Sequence, residues 1–270
     1  MLAVAARLAA QQGAAPAATG TVEFTAQVQP SAGRPEPARK IPFLLLRKSY
    51  GEIQAEAERA EPKLDRDGFV DKLEISPALK AWMKRTKIVN FAGVTFTNAL
   101  KAEDVLDVPE FFDAFVDRNA GDSTIGFPSS KARDIDREKN PAKYEKDQKA
   151  YREALKNFIN QSPQTKNDME VALVAVNPAQ RWLAAEFARK RNVQARAQEL
   201  AEVTYLQART ETDMEGRGAF SSVPVGDYWL SSGENEAVAG DTHVRWDIPV
   251  PVRAGRITRA NLTNLNAAKP

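Results

Sequence analysis

Cysteine is absent from the 270-residue chain, and histidine occurs once, at His243. Without cysteine there are no disulfides, no thiolate nucleophile and no cysteine-ligated zinc. With one histidine, a Ser-His-Asp triad would have to use His243. That residue stands in "GDTHV" at the start of an expected strand, and no Gly-x-Ser-x-Gly nucleophile elbow occurs. It reads as a surface or turn histidine, and a zinc site built on it would need carboxylates for its other ligands. Net charge is also small: 38 Lys and Arg against 36 Asp and Glu leave +2. Such a balance carries no electrostatic footprint for nucleic acid, and no nucleic-acid partner is expected. Long apolar runs are missing too. The longest stretches are "MLAVAA", "IPFLLL" (41–46) and "VALVAV" (171–176), well short of a transmembrane helix of roughly 20 residues.

What is present suits a globular chain: 43% hydrophobic and 27% charged residues. A chain of this length hides roughly three quarters of its unfolded surface, as one large domain or two small ones. The opening "MLAVAARLAAQQGAAPAATG" is Ala-rich, then Gln/Gly/Pro-rich. It is similar to the apolar region and small-residue cleavage zone of a secretory signal, although a charged leader is missing and Arg7 interrupts the run. Residues 1–19 read as a disordered tail or signal-peptide remnant, and the protein as exported, periplasmic or extracellular.

Residues 20–30 alternate, with Val22, Phe24, Ala26 and Val28 on one face and Thr21, Glu23, Thr25 and Gln27 on the other. This is a half-buried strand. A Gly/Pro turn and a more buried strand, "IPFLLLRKSY", follow. From about Gly51 the period becomes helical. "SP" at 76–77, "NP" at 140–141, "SP" at 162–163 and "NP" at 177–178 each set a capping residue before a proline at the first helical position. The apolar stripes that follow are Leu79, Trp82 and Met83; then Tyr144, Tyr151, Leu155, Phe158 and Ile159; then Trp182, Leu183 and Phe187. They read as core. Another helix is expected over 102–118, and 119–140 reads as a polar loop. Period 2 returns at Val203, in "VTYLQARTET", "GAFSSV", "DYWLSS", "HVRWDIPVPVRAG" and "RITRANLTNLNA". The fourth places Val244, Trp246, Ile248, Val250 and Val252 inward, and the last Ile257 and Leu262. Pro249 and Pro251 lack N–H groups on one side of their strand, which makes it an edge or bulged strand.

Two strands alone are marginal in water, so the N-terminal pair must join the strands after residue 202. The expected fold class is α+β: a discontinuous antiparallel β-sandwich formed by 20–50 and 202–270. A largely helical insertion, 51–201, lies between its second and third strands, since insertions at hairpin tips cost little loop entropy.

The most patterned stretch is "ETDMEGRGAFSSVPVGDYWLSS", 211–232. Asp213 and Gly216 mark one turn, Phe220 points inward, and Val223-Pro224-Val225-Gly226 makes a second turn. Tyr228 and Leu230 then share the inward face. The spacing Thr-Asp-x-x-Gly-x-x-x-Phe-x-x-Val-Pro-x-Gly-x-Tyr-x-Leu resembles the signature of carboxypeptidase regulatory-like domains. Gly20, Val22, Gly33-x-Pro35 and the valine-rich strand 244–252 extend the match. The resemblance implies a transthyretin-like sandwich, of a fold grouped with carbohydrate-binding-like modules, in a non-catalytic accessory part of an exported bacterial protein. Gly218 departs from the pattern, which usually has an aromatic or large apolar residue there. The helical region resembles no family.

Chemical motifs are sparse. "KLDRDGFVDKLE" (63–74) sets Asp65, Asp67, Gly68, Asp71 and Glu74 at the spacing of a calcium loop, but Lys63 puts a cation where a carboxylate is needed. It reads as an acidic turn with weak Ca²⁺ affinity at most. "GDSTIGFPSS" (121–130) lacks the lysine of a phosphate loop, and Asp134/Asp136 and Glu103/Asp104 read as solvated surface. No cofactor is expected. Alternation turns Trp229 outward between Tyr228 and Leu230, flanked by Asp227 and Ser231. It is the one exposed platform for a sugar ring, or else it is covered by the inserted helices. The reading is a non-catalytic exported binding or scaffolding protein with a protein or polysaccharide partner, its specificity in the helical insertion. The alternatives are a carbohydrate-binding module and a hydrolase with its site in the insertion.

Overall fold

A computed structural model describes residues 18–121 and 124–268. The proposed leader up to residue 17 and part of "GDSTIG" therefore lie outside the described residues. The chain opens with β1 (Thr19–Val28), β2 (Glu36–Pro37) and β3 (Pro42–Leu46). Among the described residues ten α-helices follow: α1 (Tyr50–Ala60), α2 (Arg66–Asp71), α3 (Pro77–Thr86), α4 (Gly93–Ala99), α5 (Ala102–Asp107), α6 (Pro109–Asn119), α7 (Asp134–Lys139), α8 (Pro141–Gln161), α9 (Met169–Ala172) and α10 (Ala179–Glu199). A π-helical segment, Leu200–Tyr205, leads into β4 (Leu206–Glu211), β5 (Arg217–Pro224), β6 (Gly226–Ser231), β7 (Ala237–Ala239), β8 (Thr242–Val244), β9 (Asp247–Val252) and β10 (Ile257–Leu262). The chain divides into two compact units. One holds the chain up to Pro62 with the chain from Lys190 onward; the other is Lys63–Arg189. Helix α1 and the C-terminal part of α10 thus belong with the strands, so the separate helical unit is shorter than 51–201.

In the strand unit, β1 lies between β5 and β10, with β2 at its far end, and a second sheet runs β4-β3-β6-β9. β1 and β3 each pair only with strands beyond residue 205, apart from the short β2 contact. Because β2 intervenes, the insertion follows the third strand rather than the second. One ladder departs from the antiparallel expectation: β1 and β10 are parallel, from Thr21↔Ile257 to Ala26↔Leu262. A single core takes Val22, Phe24 and Ala26 from the first sheet and Phe43, Leu45, Tyr228, Leu230 and Val250 from the second. Strand β3 is buried on both faces. Leu44 and Leu46 turn away from that core, against Ile53 and Ala57 of α1, Val193 and Ala197 of α10, and Ala201. This explains its continuous apolar run, where β1, half exposed, alternates.

β9 is an edge strand. It pairs with β6 through Pro249↔Trp229 and Pro251↔Asp227 and, among the described residues, has no second neighbour in its sheet. Prolines without N–H groups are tolerated there, and they protect the edge from pairing with another chain. The expected unbroken strand 244–252 is interrupted, however. β8 ends at Val244 and β9 begins at Asp247, while Trp246, fully buried, bridges to Ala267. Ile257 is exposed rather than inward, because the register with β1 turns Thr258, Ala260 and Leu262 toward the core. The strand expected from Val203 begins only at Leu206, after the π-helical turn.

In the helical unit the core centres on Trp82, whose ring meets Phe91, Phe96 and Phe111 edge-on at 6.1, 5.9 and 4.9 Å between centroids. Such contacts suit the aromatic quadrupole. Ser76 and Asn140 cap α3 and α8 by accepting from Leu79 and Lys143 N–H at 3.1 and 3.2 Å. Ser162-Pro163 opens only a short 3₁₀ turn. Pro109 splits the helix expected over 102–118 into α5 and α6, and the expected loop 119–140 contains α7. The stripe on α10 is also different: Leu183 and Phe187 are exposed, and only Trp182 packs, against Phe69.

Candidate functional site

The alternation of β1 turns Glu23 and Thr25 away from the core. Pairing then aligns two rows of side chains across three strands: Ala219, Glu23 and Arg259, and next to them Arg217, Thr25 and Asn261. These rows line a groove of about 610 Å³, completed by Thr210, Glu211 and Asp213. Its charges are held in place by one another. Glu23 accepts from Arg259 Nε at 3.1 Å. Arg217 donates to Asp213 at 2.9 Å and to Glu215 at 3.0 Å. The Asp213 carboxylate also accepts from the backbone N–H groups of Arg217 and Glu215. Those bonds, the Arg217 amide first, hold its carboxyl below the usual range.

The patterned motif shapes this corner. Gly216 has φ +76°, and a Cβ there would come within 2.4 Å of the Ala26 carbonyl. Buried Thr212 donates to the Ala38 carbonyl at 2.6 Å and accepts from Ile41 N–H at 2.9 Å, which fixes the turn to the strand before β3. Phe220 is buried. Gly226 lies under the Tyr228 ring, whose hydroxyl donates to the Pro224 carbonyl at 3.1 Å. At Gly218 the ring of Phe24 occupies the space, 2.3 Å from where a Cβ would be. Sequence reasoning missed the groove because its rows join residues more than 200 positions apart, such as Glu23 and Arg259. The outward half of the β1 alternation was the available signal.

Trp229 does lie on the opposite face from Tyr228 and Leu230, but it is half-buried against the cluster formed by Leu44, Leu46, α1 and α10. Helix α1, helix α10 and β3 cover part of its surface, and the rest meets solvent. The 63–74 segment does not form a calcium loop. Residues 66–71 are helix α2, so Gly68 is helical. Asp65 caps that helix by accepting from Gly68 N–H at 2.9 Å. Asp71 pairs with Lys84, Asp67 with Lys87, and Glu74 stands exposed. Among the described residues no three His, Cys, Asp or Glu side chains converge as metal ligands. His243 is exposed and faces Glu236 at 3.2 Å.

Two of the acids read as solvated are buried instead. Asp104 accepts from Arg85 and from Lys101 N–H, and Asp136 accepts from Arg133 and Lys143. The Arg133 bond above all lowers the Asp136 carboxyl. A further polar cluster joins α1 to β9. Asp247 accepts from the N–H groups of Tyr50 and Gly51 at 3.0 and 3.1 Å, while burial pushes its carboxyl up. It satisfies free amides at a helix start and is spent on that structural task.

No family model and no curated protein matches this chain. Among solved structures, a candidate carbohydrate binding protein from Pseudomonas aeruginosa aligns over 93% of this chain and 91% of its own, with 11% identity and a TM-score of 0.27. A score that low establishes no structural equivalence. Among the described residues no helix is long and apolar enough to cross a membrane.

Proposed function

We propose that the chain is an exported, non-catalytic binding protein. Its strand unit is a carboxypeptidase regulatory-like β-sandwich, interrupted by the helical insertion, and it takes a polar ligand in the groove over β5, β1 and β10. The observation that supports this most is the pair of ladder rows bearing Glu23, Arg259, Arg217, Thr25 and Asn261. Paired strands hold these groups without help from the ligand, so little ordering entropy is lost on binding. Adjacent arginine and carboxylate groups offer donors and acceptors side by side. That arrangement matches the vicinal hydroxyls of a saccharide, each of which both donates and accepts. Lining charges of both signs select for no net ligand charge.

Calorimetry against a panel of soluble oligosaccharides tests the reading. Arg259→Ala and Arg217→Ala are expected to weaken binding about tenfold or more, as loss of a charged hydrogen bond does. Trp229→Ala is expected to leave affinity unchanged and to cost about 2 kcal/mol of stability, around half the value for a fully buried tryptophan. Saccharide binding that survives both arginine variants and disappears with Trp229→Ala would move the site to the other face. Ligand turnover would favour a hydrolase with its site in the insertion. Recovery of the full-length chain from the cytoplasm alone would overturn export.

A further inference from the structure

The helical unit holds a cavity of its own, of about 270 Å³, between α8 and the α5–α6 pair. Gln148, Tyr151, Arg152 and Leu155 stand at i, i+3, i+4 and i+7, so they share one face of α8. That face lines the cavity. Leu155 is buried in the core of the unit, while Gln148 and Lys149, two turns earlier, are exposed. The cavity therefore sits at the margin of that core. Leu106 of α5 and Phe112 of α6 complete its walls, and both belong to the same apolar cluster as Tyr151 and Leu155.

The charged lining is of one sign. Arg152 is committed: it donates to the Leu106 carbonyl at 3.0 Å and pairs with Asp107, which balances its charge. Gln148 donates to the Tyr144 hydroxyl at 3.2 Å. Lys149 has no ion-pair or hydrogen-bond partner among the described residues, although Glu145 and Glu153 stand one turn away on either side. The Tyr151 hydroxyl has none either. Burial pushes that hydroxyl up from the usual phenol range, so it stays protonated and able to donate. One uncompensated ammonium and one free O–H thus stand beside the apolar surface of Leu106, Phe112 and Leu155, and no carboxylate lines the cavity.

We propose that this cavity is a second binding site, for a small monocarboxylate with an apolar body. The carboxylate meets the Lys149 ammonium and the Tyr151 hydroxyl, and the body lies against Leu106, Phe112 and Leu155. Apolar walls with a few converging polar groups are the usual make-up of a small-molecule site. The volume lies just under the range of roughly 300–1,000 Å³ that suits drug-sized ligands, so the occupant is a single ring or a short chain. One free cation matches one negative charge. A neutral ligand leaves that ammonium without a counter-charge, and an amine is repelled by it. The site is independent of the groove on the strand unit, whose lining carries both signs.

Ligand-observed NMR titration of the full-length chain tests the proposal, with benzoate, benzamide and benzylamine as probes of one shape and three charges. Benzoate is expected to bind in the millimolar range or tighter, and benzamide about tenfold more weakly, as loss of a charged hydrogen bond predicts. Lys149→Ala should weaken benzoate about tenfold and leave benzamide unchanged. Tyr151→Phe keeps the ring and should weaken benzoate several-fold. Lys149→Glu should reverse the preference toward benzylamine. Lys149 is exposed and the Tyr151 ring is retained, so circular dichroism should match the parent in each case. Arg217→Ala and Arg259→Ala, in the strand-unit groove, should leave benzoate binding intact. Absence of benzoate binding in the millimolar range overturns the proposal, as does equal affinity for benzoate and benzamide. Benzoate binding that survives Lys149→Glu, or that is lost with the groove arginines instead, overturns it equally.

Discussion

Gly218→Phe is expected to destabilise the protein by about 3 kcal/mol, at the upper end for overpacking a closed core, and Phe24→Ala is expected to relieve part of that cost. A Cβ at residue 218 meets the Phe24 ring at 2.3 Å, and that ring is held by Phe43 and Phe220 at 4.7 and 5.9 Å between centroids. The ring cannot move aside without disturbing both. Phe24→Ala alone should cost about 3–5 kcal/mol, because it opens a cavity between the sheets. Together the two changes transfer an aromatic ring from β1 to the directly paired position on β5, Phe24↔Gly218. The double variant should therefore lose clearly less than the sum of the single losses. Urea unfolding of the three variants measures the coupling. Additivity within about 0.5 kcal/mol, the behaviour of independent sites, would show that the two positions do not share one space.

Trp246→Ala should cost about 4 kcal/mol, in the range of buried tryptophan truncations, and Trp246→Phe about half as much. Trp246 is fully buried, stacks on Phe43 at 5.9 Å, and donates its indole N–H to the Thr263 carbonyl at 2.9 Å. Its backbone exchanges bonds with Ser232: its carbonyl accepts from the Ser232 N–H at 2.9 Å and its N–H donates to the hydroxyl at 3.1 Å. Phenylalanine keeps most of the packing but leaves the Thr263 carbonyl unpaired, a loss of about 1–3 kcal/mol. Alanine loses both. Thermal or urea unfolding followed by circular dichroism distinguishes the two. If the phenylalanine variant is as stable as the parent, the indole bond contributes nothing, and the segment before β9 is tied to the C-terminal residues by packing and by the backbone bridge from Trp246 to Ala267.

Local signals were legible where local physics decides. The strict alternation of 20–28 produced β1, and the turn residues Asp213, Gly216 and Gly226 bounded β5 and β6. Proline after a capping residue opened α3 and α8, and paired prolines marked β9 as an edge. Each depends on backbone angles, missing N–H groups or side-chain period, all properties of neighbouring residues. Boundaries failed for one local reason and one distant one. One proline broke 102–118, and a π-helical turn displaced the start of β4, as α10 and the segment after it pack on β3.

By itself, then, the amino-acid order determined most of the strand and helix stretches, which residues turn the chain, and that cysteine chemistry is absent. Only the tertiary structure decided which faces are covered. Trp229 and Phe187 are both apolar residues on one face of a regular element, yet the first is half-buried against helices and the second is left exposed. Asp104 and Asp136 sit in charged stretches like any surface acid, yet both are buried against arginines. The groove needed Glu23 beside Arg259 and Arg217 beside Thr25, and the ladders that join them cross the whole insertion. Burial is a property of partners distant in sequence, and periodicity reports only that a face exists.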